Sequence, residues 1–246
     1  MGSAFIALLA KDYHITVVSP NTKPKIDIPY FPILSEVKTA FDFIIFAVKP
    51  WILPEVMPLF SKHHYHNDTI FVSVITGASL SFFHQNIGEH AKIVRVMPNL
   101  PSQVGKGILA VFPNINVEFL DKLGRVIYVK EELDINKFTS FTGSGSGFVF
   151  SILEMYQKAQ KKLNIATEFD EREVILDLFE GAIELLKHSK LPFAEQKSKV
   201  VVQKGTTFEG LKALDQCEPL FEESLVRAYN RANEIGEETM AKLNQK

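Results

Sequence analysis

A single cysteine, Cys217, stands among 246 residues, so no internal disulfide can form and no thiolate zinc site can be assembled. Such usage suits a reducing compartment, and a cytoplasmic protein is expected. Basic excess is missing as well. Against 29 aspartates and glutamates stand 27 lysines and arginines, which leaves nothing with which to neutralise a phosphate backbone or hold an anionic membrane. Neither nucleic acid nor membrane is expected as a partner. No apolar stretch approaches the ~18 residues of a membrane span, and Met1 to Asp12 lacks the basic start and small-residue cleavage pattern of a signal peptide. Repeats, low-complexity tracts and a long linker are absent too. His63, His64 and His66 beside Asp68 come nearest to a metal cluster, but they have no second ligand group at a recognised spacing. A solvated loop and no metal are expected there.

What is present is apolar: 46% hydrophobic content is enough for one large core or two ordinary ones. Residues 41–50, Phe-Asp-Phe-Ile-Ile-Phe-Ala-Val-Lys-Pro, carry an unbroken run from Phe43 to Val48 that ends abruptly in Lys49 and Pro50. Without period-2 alternation the run reads as a parallel strand covered on both faces. In such sheets ligands sit outside the carboxyl ends of the strands. Other strands are expected at His14–Ser19, Asp68–Ile75, Ala91–Val96, Gly107–Phe112 and Arg125–Val129, with helices at Gly2–Ala10 and, weakly, near Ser35–Thr39. Their alternation is that of a parallel βαβ sheet. The pattern changes near Glu131. Beyond Gly147 the period is helical, with a wide stripe of Val174, Ile175, Leu178, Phe179, Ala182, Ile183 and Leu186. A seam of Phe221, Leu225, Ala228, Ala232 and Ile235 follows, suited to packing against another helix.

Four motifs appear in order: Ala47-Val48-Lys49-Pro50, Arg95-Val96-Met97-Pro98-Asn99-Leu100-Pro101, Gly143-Ser144-Gly145-Ser146-Gly147-Phe148 and Gly205-Thr206-Thr207. Their order and spacing resemble pyrroline-5-carboxylate reductase over nearly the whole chain. The resemblance implies an α/β Rossmann-type N-terminal domain over residues 1–132 and an all-α dimerisation and substrate domain over residues 133–246. It implies reduction of the cyclic imine 1-pyrroline-5-carboxylate to L-proline by NADPH or NADH, in a homodimer or a higher homo-oligomer. By matching positions, the cofactor would meet Gly2, Ser3, Ser19, Asn21, Ala47, Val48, Lys49, Pro50, Val74, Ile75 and Thr76. Substrate would meet Met97, Pro98, Asn99, Gly205, Thr206 and Thr207, with Thr207 as the catalytic-site residue that orients the ring nitrogen. The residues alone leave plainer readings open: Lys49 as a solvated strand end, Asn99 in a proline-shaped turn, and a threonine N-cap at Thr206 or Thr207. Small residues at Gly143–Gly147 suit close approach between domains or protomers. After the second strand, Ser19-Pro20-Asn21-Thr22-Lys23 carries no acid to grip a ribose diol, while Lys23 and Lys25 can accept a 2′-phosphate, which favours NADPH.

The sequence also departs from that family. Its first strand and Gly-rich turn are not in these residues, and Met1-Gly2-Ser3-Ala4-Phe5 looks like the end of that fingerprint. Val202-Gln203-Lys204 stands where Ser-Pro-Gly is usual, and Gly147-Phe148 where alanine and tyrosine are usual. An N-terminally truncated, non-catalytic dimeric relative is therefore one alternative. A 3-hydroxy-acid dehydrogenase is another, although Phe148-Val149-Phe150-Ser151 lacks the lysine that such an enzyme carries in that helix.

Overall fold

The computed structural model describes residues 2–60 and 65–243; His63 and His64 lie outside the described residues. Its strands are β1 (Val17–Val18), β2 (Tyr30–Phe31), β3 (Phe43–Phe46), β4 (Ile70–Ser73), β5 (Lys92–Met97), β6 (Gly107–Phe112) and β7 (Gly124–Tyr128). The helices are α1 (Gly2–Leu9), α2 (Leu53–Phe60), α3 (Leu80–Ile87), α4 (Asp134–Phe138), α5 (Gly145–Gln160), α6 (Glu171–Ser189), α7 (Phe193–Ser198), α8 (Thr206–Leu214) and α9 (Glu218–Leu243). A π-helical turn, Thr139–Ser144, joins α4 to α5. The chain divides into two compact units, Met1–Ser146 with Leu225–Lys246, and Gly147–Ser224.

In the first unit, β1 and β2 form a separate parallel pair, and the other strands form one sheet in the order β3-β4-β5-β6-β7. Strict alternation along β4 and β5 sends Val72, Val94 and Val96 to one face and Phe71 and Ile93 to the other. The first face packs against Ala4, Phe5 and Leu9 of α1 and against Phe119 and Leu120. The second packs against Leu53 and Met57 of α2 and Phe82 and Phe83 of α3. Phe46 anchors this layer, with its ring 4.8 Å from Phe60 and 5.3 Å from Phe83. The unalternating run at 43–48 thus belongs to a sheet covered on both sides, as expected, although β3 lies at the sheet's edge and only Phe46 of the run is fully buried.

Two expectations change. β6 runs antiparallel to β5, because residues 98–106 offer only a short 3-10 turn, Leu100–Val104, and a parallel crossover needs a dozen or more residues. The weak helix near Ser35–Thr39 is a 3-10 turn at Leu34–Glu36. Gly145 and Gly147 lie inside α5, with open space within the chain where a Cβ would stand. α4 and the π turn belong with the sheet, since Ile135 is buried against Met97 and Ala110. The division between the compact units therefore falls later than the change of sequence pattern.

The second unit is helical. Asp170 caps α6, accepting from the amides of Arg172 at 2.9 Å and Glu173 at 3.1 Å. Within the α6 stripe, Ile175 is buried and Phe179 packs edge-on to Tyr156. Val174, Leu178 and Leu185 stay about half exposed at 49%, 50% and 52%. Along α9, the seam runs from an exposed Phe221 to a buried Ala232.

Candidate active site

β3, β4 and β5 are adjacent and parallel, so their carboxyl ends share one edge. Ala47–Pro50, Val74–Thr76 and Met97–Asn99 therefore emerge side by side, which brings three of the sequence-selected segments together. Ala47 and Lys49 are exposed at this edge. Lys49 precedes a 3-10 turn, Pro50–Ile52, with its ammonium 5.9 Å from the centre of the Trp51 ring. α1 begins beside the same edge: a Cβ at Gly2 would lie 3.4 Å from that of Ala47. The first turn of α1 carries no acid, so the amides after Gly2 and Ser3 face outward from a helix start suited to an anion. At the end of β1, the Ser19 amide donates to the Phe31 carbonyl, and the Ser19 carbonyl accepts from the Tyr30 hydroxyl at 2.6 Å. Asn21, Lys23 and Lys25 beyond it are exposed.

Val74 extends the ladder by donating to the Phe46 carbonyl at 3.1 Å, and Ile75 donates to the Ser73 hydroxyl at 3.3 Å. Gly77 then turns with φ of +80°, and a Cβ there would stand 2.5 Å from the Cα of Gly236 in α9. Only glycine fits both the backbone and the contact.

Met97, Pro98 and Asn99 are buried. The Asn99 carboxamide oxygen accepts from the Ile108 amide at 2.9 Å, and its nitrogen donates to the Thr142 carbonyl at 3.2 Å. Asn99 therefore clamps the end of β5 to β6 and to the π turn; the side chain is committed to the chain's own backbone.

In the helical unit, Gly205 is itself the N-cap of α8 and brings no side-chain hydrogen bond. The threonine cap is thus not what forms: Thr206 and Thr207 are the first two helical residues, both exposed. A helix start capped by glycine leaves its first amides for solvent or an anion. Lys204 holds a left-handed φ of 64° just before it.

Arg95 was missed as a structural centre, although a charge inside Ile93-Val94-Arg95-Val96-Met97 is the signal that marks it. It is 4% exposed, and its Nη1 donates to Glu132 Oε1 at 2.7 Å. Burial pushes the guanidinium below its ordinary range, and the hydrogen bond and charge of Glu132 oppose that shift. Among the described residues no cluster of three His, Cys, Asp or Glu side chains could hold a metal, and no helix is long and apolar enough to cross a membrane.

Residues 132–235 match the family model for pyrroline-5-carboxylate reductase dimerisation. A pyrroline-5-carboxylate reductase of Staphylococcus epidermidis is 29% identical over 205 residues, covering 79% of this chain and 74% of its own. The helical part thus carries the dimerisation region of the pyrroline-5-carboxylate reductase family. A Staphylococcus aureus pyrroline-5-carboxylate reductase is 28% identical over the same length. The fold is that of the Plasmodium falciparum pyrroline carboxylate reductase, solved with NADP bound, at a TM-score of 0.82 and 24% identity over 96% of this chain and 94% of that one. The Coxiella burnetii pyrroline-5-carboxylate reductase superposes with a TM-score of 0.76 at 24% identity, over 95% and 94% of the two chains. The Rossmann-type sheet with a helical C-terminal region is thus the fold of these solved reductases, and the dimerisation match spans α4 to most of α9.

Proposed function

We propose that this chain is a pyrroline-5-carboxylate reductase that reduces 1-pyrroline-5-carboxylate to L-proline, the last step of proline biosynthesis, with NADPH as the preferred donor and NADH as the poorer one. The carrying observation is the shared edge of β3, β4 and β5, where Ala47–Pro50, Val74–Thr76 and Met97–Asn99 emerge together. The residues present fit a dinucleotide: an acid-free helix start beside Ala47 for phosphate, exposed Lys23 and Lys25 after β1 for a 2′-phosphate, and the partly exposed Val74 for a flat ring, with Ile75 buried beneath it in the core. When bound, the nicotinamide supplies a hydride to the carbon of the imine double bond.

The protein's own tasks are holding and orienting. A protonated imine is already electrophilic, so rate comes from alignment and the exclusion of water rather than from an acid–base array. The α8 N-terminus binds the substrate carboxylate through the amides that Gly205 leaves uncapped. Thr207, on the first turn, hydrogen-bonds the ring nitrogen and fixes its orientation, while solvent supplies the proton. Met97 and Pro98 line the reacting region, and Asn99 sets their place through its two backbone bonds. The helical part forms a homodimer, as the matched dimerisation family and the half-exposed α6 face support.

The test is direct. The purified 246-residue protein is mixed with NADPH and 1-pyrroline-5-carboxylate, and both NADPH consumption and L-proline are followed. Proline should form at the rate of NADPH loss, and faster than with NADH. A rate equal to the enzyme-free control overturns the reading and favours a non-catalytic dimeric relative, to which Lys204 in place of the usual glycine already gives some support.

A further inference from the structure

The loop from Val74 to Ser79 is pinned at three points, and one of them is a carboxylate far away in sequence. At its start, Val74 donates to Phe46. In its middle, Gly77 lies against the backbone of Gly236. At its end, Leu80, the first residue of α3, donates its amide to Glu132 Oε1 at 2.8 Å. The same oxygen accepts from Arg95 Nη1 at 2.7 Å. Glu132 thus ties the start of α3 to the middle of β5, and among the described residues it is the one counter-charge for Arg95, whose Nε and Nη2 have no partner there.

The chemistry of this junction is asymmetric. Ser79 already caps α3 through the Phe82 amide at 3.2 Å, so α3 does not need Glu132 in order to start. What Glu132 adds is location: a carboxylate bonded both to a helix-end amide and to a buried guanidinium fixes where the loop's end lies relative to the strand that delivers Met97.

We infer that Glu132 is a positioning residue for the cofactor wall Val74–Thr76, acting through the Leu80 amide and Arg95. This rests on the proposed reading of the strand-end edge as a dinucleotide site. Releasing the loop's end lets Val74–Thr76 drift from the ring they flank, which weakens cofactor binding while leaving the imine site in place.

Hydrogen exchange and steady-state kinetics test this together. In the unmodified protein the Leu80 amide should exchange as slowly as the interior of α3, and NADPH should slow exchange at both Ala47–Pro50 and Val74–Thr76. Glu132→Gln keeps a neutral acceptor, so the KM for NADPH should rise about threefold; Arg95→Met with Glu132→Leu removes both bonds without stranding a buried charge, and the rise should reach about tenfold. In both variants the KM for the imine should stay within about twofold, a split that a general loss of stability would not produce. Unchanged NADPH KM in the folded variants overturns the role, as does rapid exchange of the Leu80 amide in the unmodified protein. If NADPH slows exchange nowhere, the cofactor reading itself is overturned, and the positioning role falls with it.

Discussion

Gly77 and Gly236 meet backbone to backbone, yet the two are not equivalent. A Cβ at Gly77 would stand 2.5 Å from the Cα of Gly236 and 2.7 Å from its nitrogen, on a backbone with φ of +80°. Gly77→Ala therefore meets both overpacking and a left-handed conformation, and should cost about 3 kcal/mol. Seen from the other side, a Cβ at Gly236 would lie 3.4 Å from Gly77, with no special φ. That is ordinary contact within a helix, where alanine gains up to about 1 kcal/mol over glycine. Gly236→Ala should thus change stability by less than about 1 kcal/mol. Urea unfolding of the two variants checks the pair, and equal losses would show that the contact is as tight for a side chain at Gly236 as for one at Gly77. Asn99 shows a similar division of labour at one residue: its side-chain bonds stay within the chain, so it fixes the Met97–Pro98 backbone, and any part in the proposed site is through that.

Helix α8, proposed to hold an anion, begins awkwardly for that role. The Gly205 amide donates to Val202 at 2.8 Å, and a Cβ at Gly205 would stand 2.9 Å from that carbonyl oxygen, so this turn is tight. Lys204 takes the left-handed φ of 64° within it. A non-glycine residue there costs about 1–2 kcal/mol, of which glycine's greater freedom in the unfolded chain would return about 0.5–1 kcal/mol. Lys204→Gly should therefore stabilise by about 0.5–1 kcal/mol, measured as a higher urea midpoint; a lower midpoint would mean that the lysine side chain contributes packing that outweighs the strain. The sequence shows the place of this element but not its cap, because Gly-Thr-Thr reads equally well as a threonine cap or as glycine followed by two helical threonines. The apolar runs that became β3, β4 and β5 were legible because a strand covered on both faces needs continuous apolar residues. The direction of β6 was not, since Gly107–Phe112 has the same composition either way and only the shortness of the 98–106 connection decides it. β2, two residues long, has no period to read, and α2 hides behind Pro54 and the internal Pro58. Of the site, the three strand ends could be read from their abrupt polar exits. The Arg95–Glu132 junction could not, because its partners lie 37 residues apart and no local pattern links them.

At the scale of the molecule, the helical unit leaves too much apolar surface uncovered for a lone chain. On a helix of 3.6 residues per turn, Val174, Leu178 and Leu185 fall within about 40° of one another, while Ile175 lies about 100° away from Val174. Ile175 is buried by its own chain, and the other three remain about half exposed. Phe193, Val200 and Val202 add further exposed apolar area at 80%, 59% and 69%. Apolar surface of this extent marks a protein interface, and the matched dimerisation family favours a second copy of the chain as the partner. The wild-type protein should therefore run at twice the mass of one chain in light scattering across a dilution series. Leu178→Lys with Leu185→Lys puts two charges on the α6 face without touching a residue that the single chain buries, so helical content should persist while the mass falls toward one chain at low concentration. A wild-type mass of one chain at every concentration would overturn the homodimer. A dimer that survives both lysines would move the interface off this face of α6 and onto the surface around Phe193 to Val202.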